Sequence, residues 1–517
     1  MVAPFMKKTE KRQFLHNVGT SWFSLGTNVL IGIFLSPFIL HRIGDAAFGI
    51  WVLIFSVTGY YGLFDLGIRS SVIRYISKFS AVNDRENLAR VFNTSLFAYA
   101  AIGTFAMLVT VAGFFFVNSL FKIPPDFHST APWLFLIVGT SVAIGFPMGV
   151  FTGALEALQK FYLVNAMNIV ATFIRVGAIV FVLLRGYGLL TLALITTIIP
   201  LINSVIRAVI ALRILRLPIG FRHVSGSTSR LMANHSGLTF VIVVANQLRF
   251  QTDEIVIGMF LSTSAITFFS IGARIVDYAT NAIMSLAQLF VPMSSQSEAK
   301  GDAVALRKIL IAGNRACAFV IFPITASLII LGKSVIEIWV GSRYVAQSYP
   351  VLLALIIPMT LMLAQAASSR ILFGTSQHRM IGIVTLAESI ANVILSVLLV
   401  RPYGIFGDAL GTAIPLTCTA TMFLPRHACA KFGIRVGTFL REAYMLPVFL
   451  TCPLAVTLLL ERHWVRPHHL IQLVEEMLLA WGIYAVGFLW IYKSDHAFRI
   501  DQGALRGSPP LPTETGV

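Results

Sequence analysis

The sequence predicts an all-α protein that crosses a membrane about fourteen times, and three observations lead to this prediction. Hydrophobic residues make up 57% of the 517-residue chain, charged residues make up 12%, and the mean hydropathy is +0.82. A soluble domain carries about 25% charged residues, because its surface must face water. The apolar residues fall in runs of roughly 20, the length of a membrane-spanning helix. The loops between these runs alternate between many and few basic residues.

Fourteen apolar runs are long enough to span a bilayer. We predict spans at 18–40, 47–68, 91–117, 131–152, 161–184, 189–212, 236–260, 265–293, 309–331, 347–369, 380–400, 405–425, 443–460 and 471–492. The first run is too long for the apolar region of a cleavable signal peptide, and no small-x-small cleavage pattern follows it. We therefore predict that it is a span.

The distribution of lysine and arginine over the loops predicts the orientation of the spans. With the N-terminus in the cytoplasm, the inside segments carry 26 of these residues and the outside loops carry 8. Cytoplasmic loops of membrane proteins are enriched in basic residues, so both termini are predicted to be cytoplasmic. The same bias explains the formal net charge of +17 without a nucleic-acid partner.

The first long cytoplasmic loop is predicted to contain an amphipathic helix. Residues 68–79 place apolar side chains on one helical face and basic side chains elsewhere, a pattern typical of a helix in the membrane interface. Asn83 followed by Glu86 resembles a capping box, which predicts that the next helix begins there. At the other end of the chain, the Pro-, Ser- and Thr-containing residues 493–517 are predicted to form a disordered cytoplasmic tail.

A weak repeated motif predicts an internal duplication. Arg185-Gly-Tyr-Gly188 follows the fifth span, and Arg401-Pro-Tyr-Gly404 follows the eleventh, 216 residues later. Six spans separate the copies, so both copies would have the same orientation, as in transporters built from parallel repeats. Chance similarity between apolar helices is the alternative. The predicted organisation is a cytoplasmic segment (1–17), an N-lobe of six spans (18–212), a cytoplasmic linker (213–235), a C-lobe of six spans (236–425), two extra helices (426–492) and the tail (493–517).

Polar side chains recur within the spans at the spacing of one helix face. Ionisable groups at this depth are costly in lipid, so they mark the protein interior. The candidate residues for binding a substrate are Arg175, Arg249, Arg274, Arg315 and Asn168, and the candidates for ion coupling or charge pairing are Asp253, Asp277 and Glu388. Arginine binds phosphate oxygens through two nitrogens, so a cavity lined by arginines would suit a diphosphate or an acidic sugar.

A structural interpretation of the same residues stays open. Arg249 and Asp253 are four residues apart, and Arg274 and Asp277 are three apart, so each arginine could neutralise the acid on its own helix. The other two candidate arginines have no acid within one helical turn, which favours a role in binding.

Patterns typical of metal or catalytic sites are absent from the sequence. The four cysteines lie in or beside apolar runs, and no CxxC or Cys/His cluster occurs, so neither zinc nor disulfides are predicted. No DxD, HExxH, GxSxG or P-loop motif occurs, and the outside loops are short. We therefore predict no catalytic residue, no metal site and no cofactor, and leave coupling to H⁺ or Na⁺ open.

Several short motifs resemble those of polysaccharide-biosynthesis exporters of the O-antigen flippase type. They are Gly44 with Phe48-Gly-Ile-Trp51, Leu63-Phe-Asp-Leu-Gly-Ile68, Arg74-Tyr-Ile76, Thr252-Asp-Glu-Ile-Val-Ile-Gly258, Phe269-Ser-Ile-Gly-Ala-Arg274, Pro292 and Gly301-Asp302. The resemblance covers roughly residues 12–430. Related motifs occur across the multidrug/oligosaccharidyl-lipid/polysaccharide (MOP) superfamily, whereas the last two spans match no motif.

The resemblance implies two six-helix lobes around a central cavity, alternating access and a location in a bacterial inner membrane. The implied substrate is an undecaprenyl-diphosphate-linked oligosaccharide, moved from the cytoplasmic to the periplasmic leaflet. The expected partners are this lipid-linked oligosaccharide, membrane lipids and the polysaccharide polymerase machinery. A peptidoglycan-precursor flippase and a multidrug antiporter of the same superfamily are the alternatives, and a membrane-embedded glycosyltransferase or polymerase is the least favoured.

Overall fold

The protein is helical throughout its regular structure. The computed structural model describes residues 26–27, 29–375, 378–464, 467 and 469–494, and this part of the chain contains no β-strand. The predicted all-α fold class is therefore confirmed. The predicted cytoplasmic segment 1–17 lies outside the described residues, as does the tail after residue 494.

Seventeen α-helices make up the described part of the chain. They are α1 Val29–Ile43, α2 Asp45–Gly59, α3 Ile68–Ala81, α4 Arg85–Leu120, α5 Thr130–Ala157, α6 Phe161–Leu184, α7 Leu189–Leu215, α8 Gly226–Phe260, α9 Thr263–Ala287, α10 Phe290–Ala299, α11 Ala303–Val340, α12 Val345–Ala364, α13 Ala366–Gly374, α14 His378–Cys418, α15 Leu424–Phe432, α16 Val436–Trp464 and α17 Leu470–Ser494. A 3₁₀ turn, Tyr60–Asp65, extends α2, and a π-helical turn, Thr419–Phe423, joins α14 to α15.

The positions of the predicted spans agree with these helices, but their number is not settled by them. By length and apolar composition, ten helical segments of the described residues are suited to cross a membrane. One of the ten, Met380–Phe432, contains two predicted spans. Helices α8 and α9 are not among the ten, although they are long enough, because charged residues lie within them. The described part of the first predicted span is a shorter apolar helix. The count of fourteen stays a prediction.

Helix α14 contains a chain reversal at Gly404. This glycine has φ +61° and ψ −144°, a conformation outside the helical region. Asn392 Nδ2 in the first arm donates a hydrogen bond of 3.0 Å to Thr412 Oγ1 in the second, so the arms lie side by side. In the first copy of the repeated motif the residue with positive φ is Gly186, two positions earlier in the motif. The superposition of the two copies stays a prediction.

The amphipathic helix predicted at 68–79 is present as α3. It packs against α4 and α5 and buries Val72 and Ile76, while Arg74 on another face is exposed. Its place in a membrane interface stays a prediction.

The N-cap predicted at Asn83 was wrong by one residue. The carboxylate of Asp84 accepts a hydrogen bond of 3.0 Å from the Asn87 main-chain N–H, which makes Asp84 the N-cap of α4. Bonds from the side chain and main chain of Asn87 hold the pKa of Asp84 below its usual value. Asn83 instead lies in the turn that precedes α4. Its φ of +54° is a left-handed conformation that asparagine tolerates better than most residues.

Three large hydrophobic cores group the helices, and a small fourth one joins Tyr61, Ala106 and Ala143. The largest contains α1, α2, the end of α8 and helices α9–α16, together with one end of each of α4–α7. The second contains α3, the opposite ends of α4–α7 and the start of α8. The third packs α16 and α17 on α11. Helices α4–α7 thus share a core with α9–α16 at one end and with the start of α8 at the other. The domain boundaries proposed from the sequence stay predictions.

Candidate functional site

The two halves of the chain are joined at one end, which we call the Asp45 end. The Asp45 carboxylate accepts hydrogen bonds from Arg343 and Tyr344, and its main-chain carbonyl accepts one of 2.7 Å from Thr267 Oγ1. Lys122 adds main-chain and side-chain hydrogen bonds to carbonyls at the C-terminus of α8. Each of these contacts links an element of the first half to the second half.

A glycine allows the closest approach at this end. A Cβ atom on Gly49 of α2 would lie 1.7 Å from the carbonyl oxygen of Thr263 at the start of α9, a distance no side chain can occupy. Thr263 is fully buried. The Asp45 end coincides with the predicted outside loops 41–46, 118–130 and 332–346, so this is the predicted periplasmic end.

At the opposite end α3–α7 and α9–α16 have separate cores, and the start of α8 packs with α3–α7. The short helices α10, α13 and α15 pack on α9, α11, α14 and one another, whereas α3 packs on α4, α5 and α8. Exposed charged side chains inside the helices fit this arrangement: Asp277 is exposed near the middle of α9. A carboxylate at that depth is far less costly in water than in lipid. We infer that water enters between the halves from the end opposite Asp45.

An ion pair joins the two helices that carry most of the candidate residues. Arg249 Nη2 in α8 lies 3.0 Å from Glu388 Oε1 in α14, and their side chains are 9% and 4% exposed. Sequence spacing suggested Asp253 as the partner of Arg249. The observed pair instead connects two helices, which no spacing within one helix could predict.

Asp253 belongs to an adjoining cluster of oxygen atoms. Thr412 Oγ1, from the second arm of α14, donates to the two carboxylate oxygens of Asp253 at 3.2 and 3.1 Å. Asp408, one turn earlier on that arm, is fully buried and neither carboxylate oxygen has a hydrogen-bond partner. It lies near enough to Asp253 for their charges to interact. We call Asp253, Asn392, Asp408 and Thr412 the acidic cluster.

Further charged groups extend this cluster toward α9. Glu254 interacts electrostatically with Arg274 and Asp277, and one oxygen of Glu254 is buried without a hydrogen-bond partner. The Nε atom of Arg274 is likewise buried and unpartnered. Around α8, α9 and α14, five acids therefore accompany two arginines. Within this group of residues the acids outnumber the arginines.

The first half supplies arginines on α6 and α7. Asn168 in α6 accepts a hydrogen bond of 3.0 Å from Asn203 in α7. Arg175, two turns further along α6, is half-buried and forms no hydrogen bond or ion pair with another described residue. Arg207 in α7 donates to Ser204 at 2.8 Å and keeps a buried, unpartnered Nε. Arg207 lies within the span predicted at 189–212 and is not among the candidate residues named from the sequence.

Arg315 lies apart from both groups. Its Nε donates a hydrogen bond of 2.8 Å to the main-chain carbonyl of Glu442, so it links α11 to α16. The structure thus brings together Arg249, Arg274, Asp253, Asp277 and Glu388, places Asn168 and Arg175 on the opposite half, and leaves Arg315 at a helix–helix contact.

Two of the sequence motifs position these helices. In the Leu63–Ile68 motif, the Asp65 carboxylate accepts a hydrogen bond from the Tyr99 hydroxyl of α4. Gly67 follows with φ +74° and begins the turn into α3. In the Thr252–Gly258 motif, the Thr252 hydroxyl forms a hydrogen bond with the Tyr60 hydroxyl, which fixes the end of α2 beside Asp253.

Among the described residues, no three His, Cys, Asp or Glu side chains form a group suited to a metal ion. The acidic cluster contains two carboxylates with neutral hydroxyl and amide oxygens. A buried carboxylate can take up a proton. Oxygen atoms of this kind are also the ligands that hard cations such as Na⁺ prefer.

Comparison with known families and sequences places this geometry in context. A family model described as polysaccharide biosynthesis protein matches residues 39–348. The uncharacterized membrane protein EpsK of Bacillus subtilis is 22% identical over 439 residues, covering 83% of this chain and 86% of that protein. A protein of Shigella flexneri that carries the name O-antigen transporter is 21% identical over 408 residues, covering 77% of this chain and 94% of its own length.

Solved structures show the same fold. The lipid II flippase MurJ in an inward closed conformation gives a TM-score of 0.70 at 15% identity, over 93% of this chain and 99% of that chain. An inward-facing multidrug resistance MATE transporter of the MOP superfamily gives 0.62 at 14% identity, over 80% of this chain and 94% of that chain. At such identities the likeness concerns the fold, which is that of a polytopic MOP-superfamily transporter.

Proposed function

This chain belongs to the polysaccharide biosynthesis protein family, and on that premise we propose that it flips an undecaprenyl-diphosphate-linked oligosaccharide across the membrane by alternating access. The observation that carries the proposal is the one-ended closure of the helix bundle. The halves are bonded together at the Asp45 end, whereas at the other end α4–α7 share a core with the start of α8 and not with α9–α16. A substrate can therefore enter a water-filled space from one side only.

Three arginines are suited to bind the diphosphate. Arg175 and Arg207 lie on α6 and α7 of the first half, and Arg274 lies on α9 of the second half with its Nε buried and unpartnered. Guanidinium groups bind phosphate oxygens through two parallel hydrogen bonds and keep their charge when partly desolvated. Asn168 and Asn203, two helical turns from Arg175, offer neutral hydrogen-bonding groups for sugar hydroxyls. The apolar tail stays in the bilayer while the polar head crosses.

The acidic cluster is assigned to coupling. A proton or Na⁺ bound by Asp253, Asp408 and Thr412 would neutralise a buried carboxylate that otherwise has no partner. Binding there draws the second arm of α14 toward α8, which also carries Arg249. Occupancy of the acidic cluster can thus change the position of the Arg249–Glu388 pair. Because Arg249 lies on α8, this movement can change the position of one half of the protein relative to the other.

Location and partners follow from the same proposal. The Asp45 end faces the periplasm and both termini face the cytoplasm, as the basic-residue bias predicts. The membrane is the inner membrane of a bacterium, where undecaprenyl carriers are loaded, and a polysaccharide polymerase would receive the flipped product. The name of the O-antigen transporter that shares 21% identity supports this assignment.

Two other cargoes each have one observation in their favour. The lipid II flippase structure covers more of this chain than the multidrug transporter does, which favours a peptidoglycan precursor as the second candidate. The five acids around α8, α9 and α14 favour a cationic drug, because acids attract cations. The sequence alone drew attention to the arginines instead.

Complementation separates these cargoes. The gene is expressed in three strains that lack, respectively, an oligosaccharide flippase for a surface polysaccharide, the lipid II flippase, and a major drug exporter. We expect surface polysaccharide to be restored in the first strain alone. Growth of the second strain, or drug resistance of the third, without any effect in the first would contradict the proposed cargo.

A further inference from the structure

A groove on the outer surface of the second half has the shape and composition of a lipid site. It has a volume of about 600 Å³, within the range of ligand pockets. Its walls are the side chains of Val345, Tyr349, Leu353 and Ile357 from α12 and of Phe406 and Leu410 from the second arm of α14. The four α12 residues are spaced by four, so they form one continuous apolar stripe.

The length of the groove matches one leaflet of a bilayer. It begins at Ser342, in the turn between α11 and α12, and follows α12 as far as Ile357. The thirteen residues from Val345 to Ile357 extend about 18 Å along a helix. Half of a hydrocarbon core of about 30 Å is about 15 Å. One acyl chain can therefore lie along the groove with its headgroup near the α11–α12 turn.

One cation lines the groove beside Tyr349, one turn after the start of α12. Lys333 of α11 lines the groove, and its Nζ lies 5.3 Å from the centre of the Tyr349 ring. No acidic residue lines the groove. Glu337, one turn further along α11, is exposed and lies outside it. The ammonium group thus faces an apolar cleft without a carboxylate there to neutralise it.

We propose that this groove binds one anionic phospholipid of the leaflet at the Asp45 end, with its acyl chain along α12 and its phosphate at Lys333. Charge complementarity favours an anionic lipid, since a lysine near a membrane surface contributes about 1 kcal/mol toward anionic lipids. A long stem also lets lysine keep its amine near the headgroups while its methylenes contact the chain.

The position of the groove gives this lipid a contact with the coupling helix. Phe406 and Leu410 face the groove, whereas Asp408 and Thr412 on alternate faces of the same arm belong to the acidic cluster. The lipid therefore packs against the arm from the side opposite the acids. The site is separate from the arginines assigned to the cargo, so its occupancy can be measured without reference to transport.

Binding is tested by native mass spectrometry of the purified full chain with phosphatidylglycerol, phosphatidylcholine or inorganic phosphate. We expect phosphatidylglycerol to bind about fivefold more tightly than phosphatidylcholine, the ratio that one lysine provides. Lys333→Gln should abolish this preference. Lys308→Gln, an exposed lysine on the same helix but far from the groove, should retain it.

A second pair of variants tests the chain-binding part. Ala346→Trp fills the groove from an exposed position and should weaken binding of both lipids, whereas Ala101→Trp, at an exposed alanine of α4, should not. Equal affinity for the two lipids in the wild type, or an unchanged preference in Lys333→Gln, would overturn the proposal. Binding of inorganic phosphate as tight as that of the lipid would also overturn it, because the groove would then be a free-anion site. None of these outcomes bears on the cargo, which complementation decides independently.

Discussion

Arg249 and Glu388 form a buried ion pair that joins α8 to α14, with 3.0 Å between guanidinium nitrogen and carboxylate oxygen. Removing one partner leaves an uncompensated buried charge, which costs about 3–5 kcal/mol. We therefore expect Arg249→Ala or Glu388→Ala to lower the thermal stability of the purified protein markedly. The double variant Arg249→Met/Glu388→Leu should recover most of it, because replacing a whole buried pair by apolar groups is often neutral. Equal stability of the single variants and the wild type would contradict a structural role of the pair.

Arg175 and Arg315 are expected to respond differently to the same substitution. Arg175 has no partner among the described residues, so Arg175→Ala should leave stability within about 1 kcal/mol of wild type and reduce transport at least tenfold. Lysine should restore part of the activity, since it keeps the charge but loses the planar two-nitrogen contact. Transport by purified protein in liposomes measures this. Arg185→Ala, at the exposed end of the same helix, is the matched control.

Arg315→Ala removes the hydrogen bond to the Glu442 carbonyl between α11 and α16. A hydrogen bond from a charged donor contributes about 1.5–3 kcal/mol, so the expected effect is a loss of stability of that size. Transport per folded molecule should remain. A variant that is stable but does not transport would indicate that Arg315 binds the cargo, as we predicted from the sequence.

The helices could be predicted from the sequence far better than the partners of their polar residues. Apolar runs and loop charges locate the spans because both reflect the solvent of each segment, lipid or water. The partner of Arg249 depends on which helix packs beside α8, and the partner of Arg315 is a main-chain carbonyl that leaves no signature in the sequence. Periodicity within a helix carries neither kind of information.

Asp408 was overlooked because it lies four residues into the predicted twelfth span, directly after a predicted outside loop. An acid so near a loop is usually solvated, yet the reversal at Gly404 folds the second arm back on the first and buries it. The sequence signal that could have found it is Gly407-Asp-Ala-Leu-Gly411. A Cβ on Gly411 would lie 2.4 Å from the main-chain nitrogen of Ser396, so both arms must be in contact there.

Asp408 itself provides a test of coupling. Asp408→Asn removes a buried charge that has no hydrogen-bond partner, so the variant should be at least as stable as the wild type. Its transport should no longer respond to an imposed Na⁺ or pH gradient across liposomes. Asp126→Asn, in an exposed turn, should behave as wild type. An unchanged gradient response in Asp408→Asn would exclude the acidic cluster as the coupling site.

The closure at the Asp45 end depends on Gly49. Any side chain there collides with the Thr263 carbonyl, so Gly49→Val should hold this end open. The readout is labelling of Thr263→Cys by a membrane-impermeant maleimide in a cysteine-free background. The labelling rate should rise several-fold in Gly49→Val and stay unchanged in Gly437→Val, where a Cβ meets nothing within 4 Å. A slow rate in both variants would show that the contact does not control closure.

The movement of cargo is the most direct test of the account. The purified protein is reconstituted in liposomes with a fluorescent polyprenyl-diphosphate oligosaccharide in both leaflets, and an added glycosidase cleaves the sugars that reach the outside. We expect wild-type protein to make nearly all of the sugar accessible to the glycosidase. Liposomes with Arg175→Ala or without protein should expose only the half of the sugar that lies in the outer leaflet. Exposure limited to the outer half with wild-type protein, or full exposure with Arg175→Ala, would contradict the central claim that this chain flips a lipid-linked oligosaccharide through its arginine-bearing space.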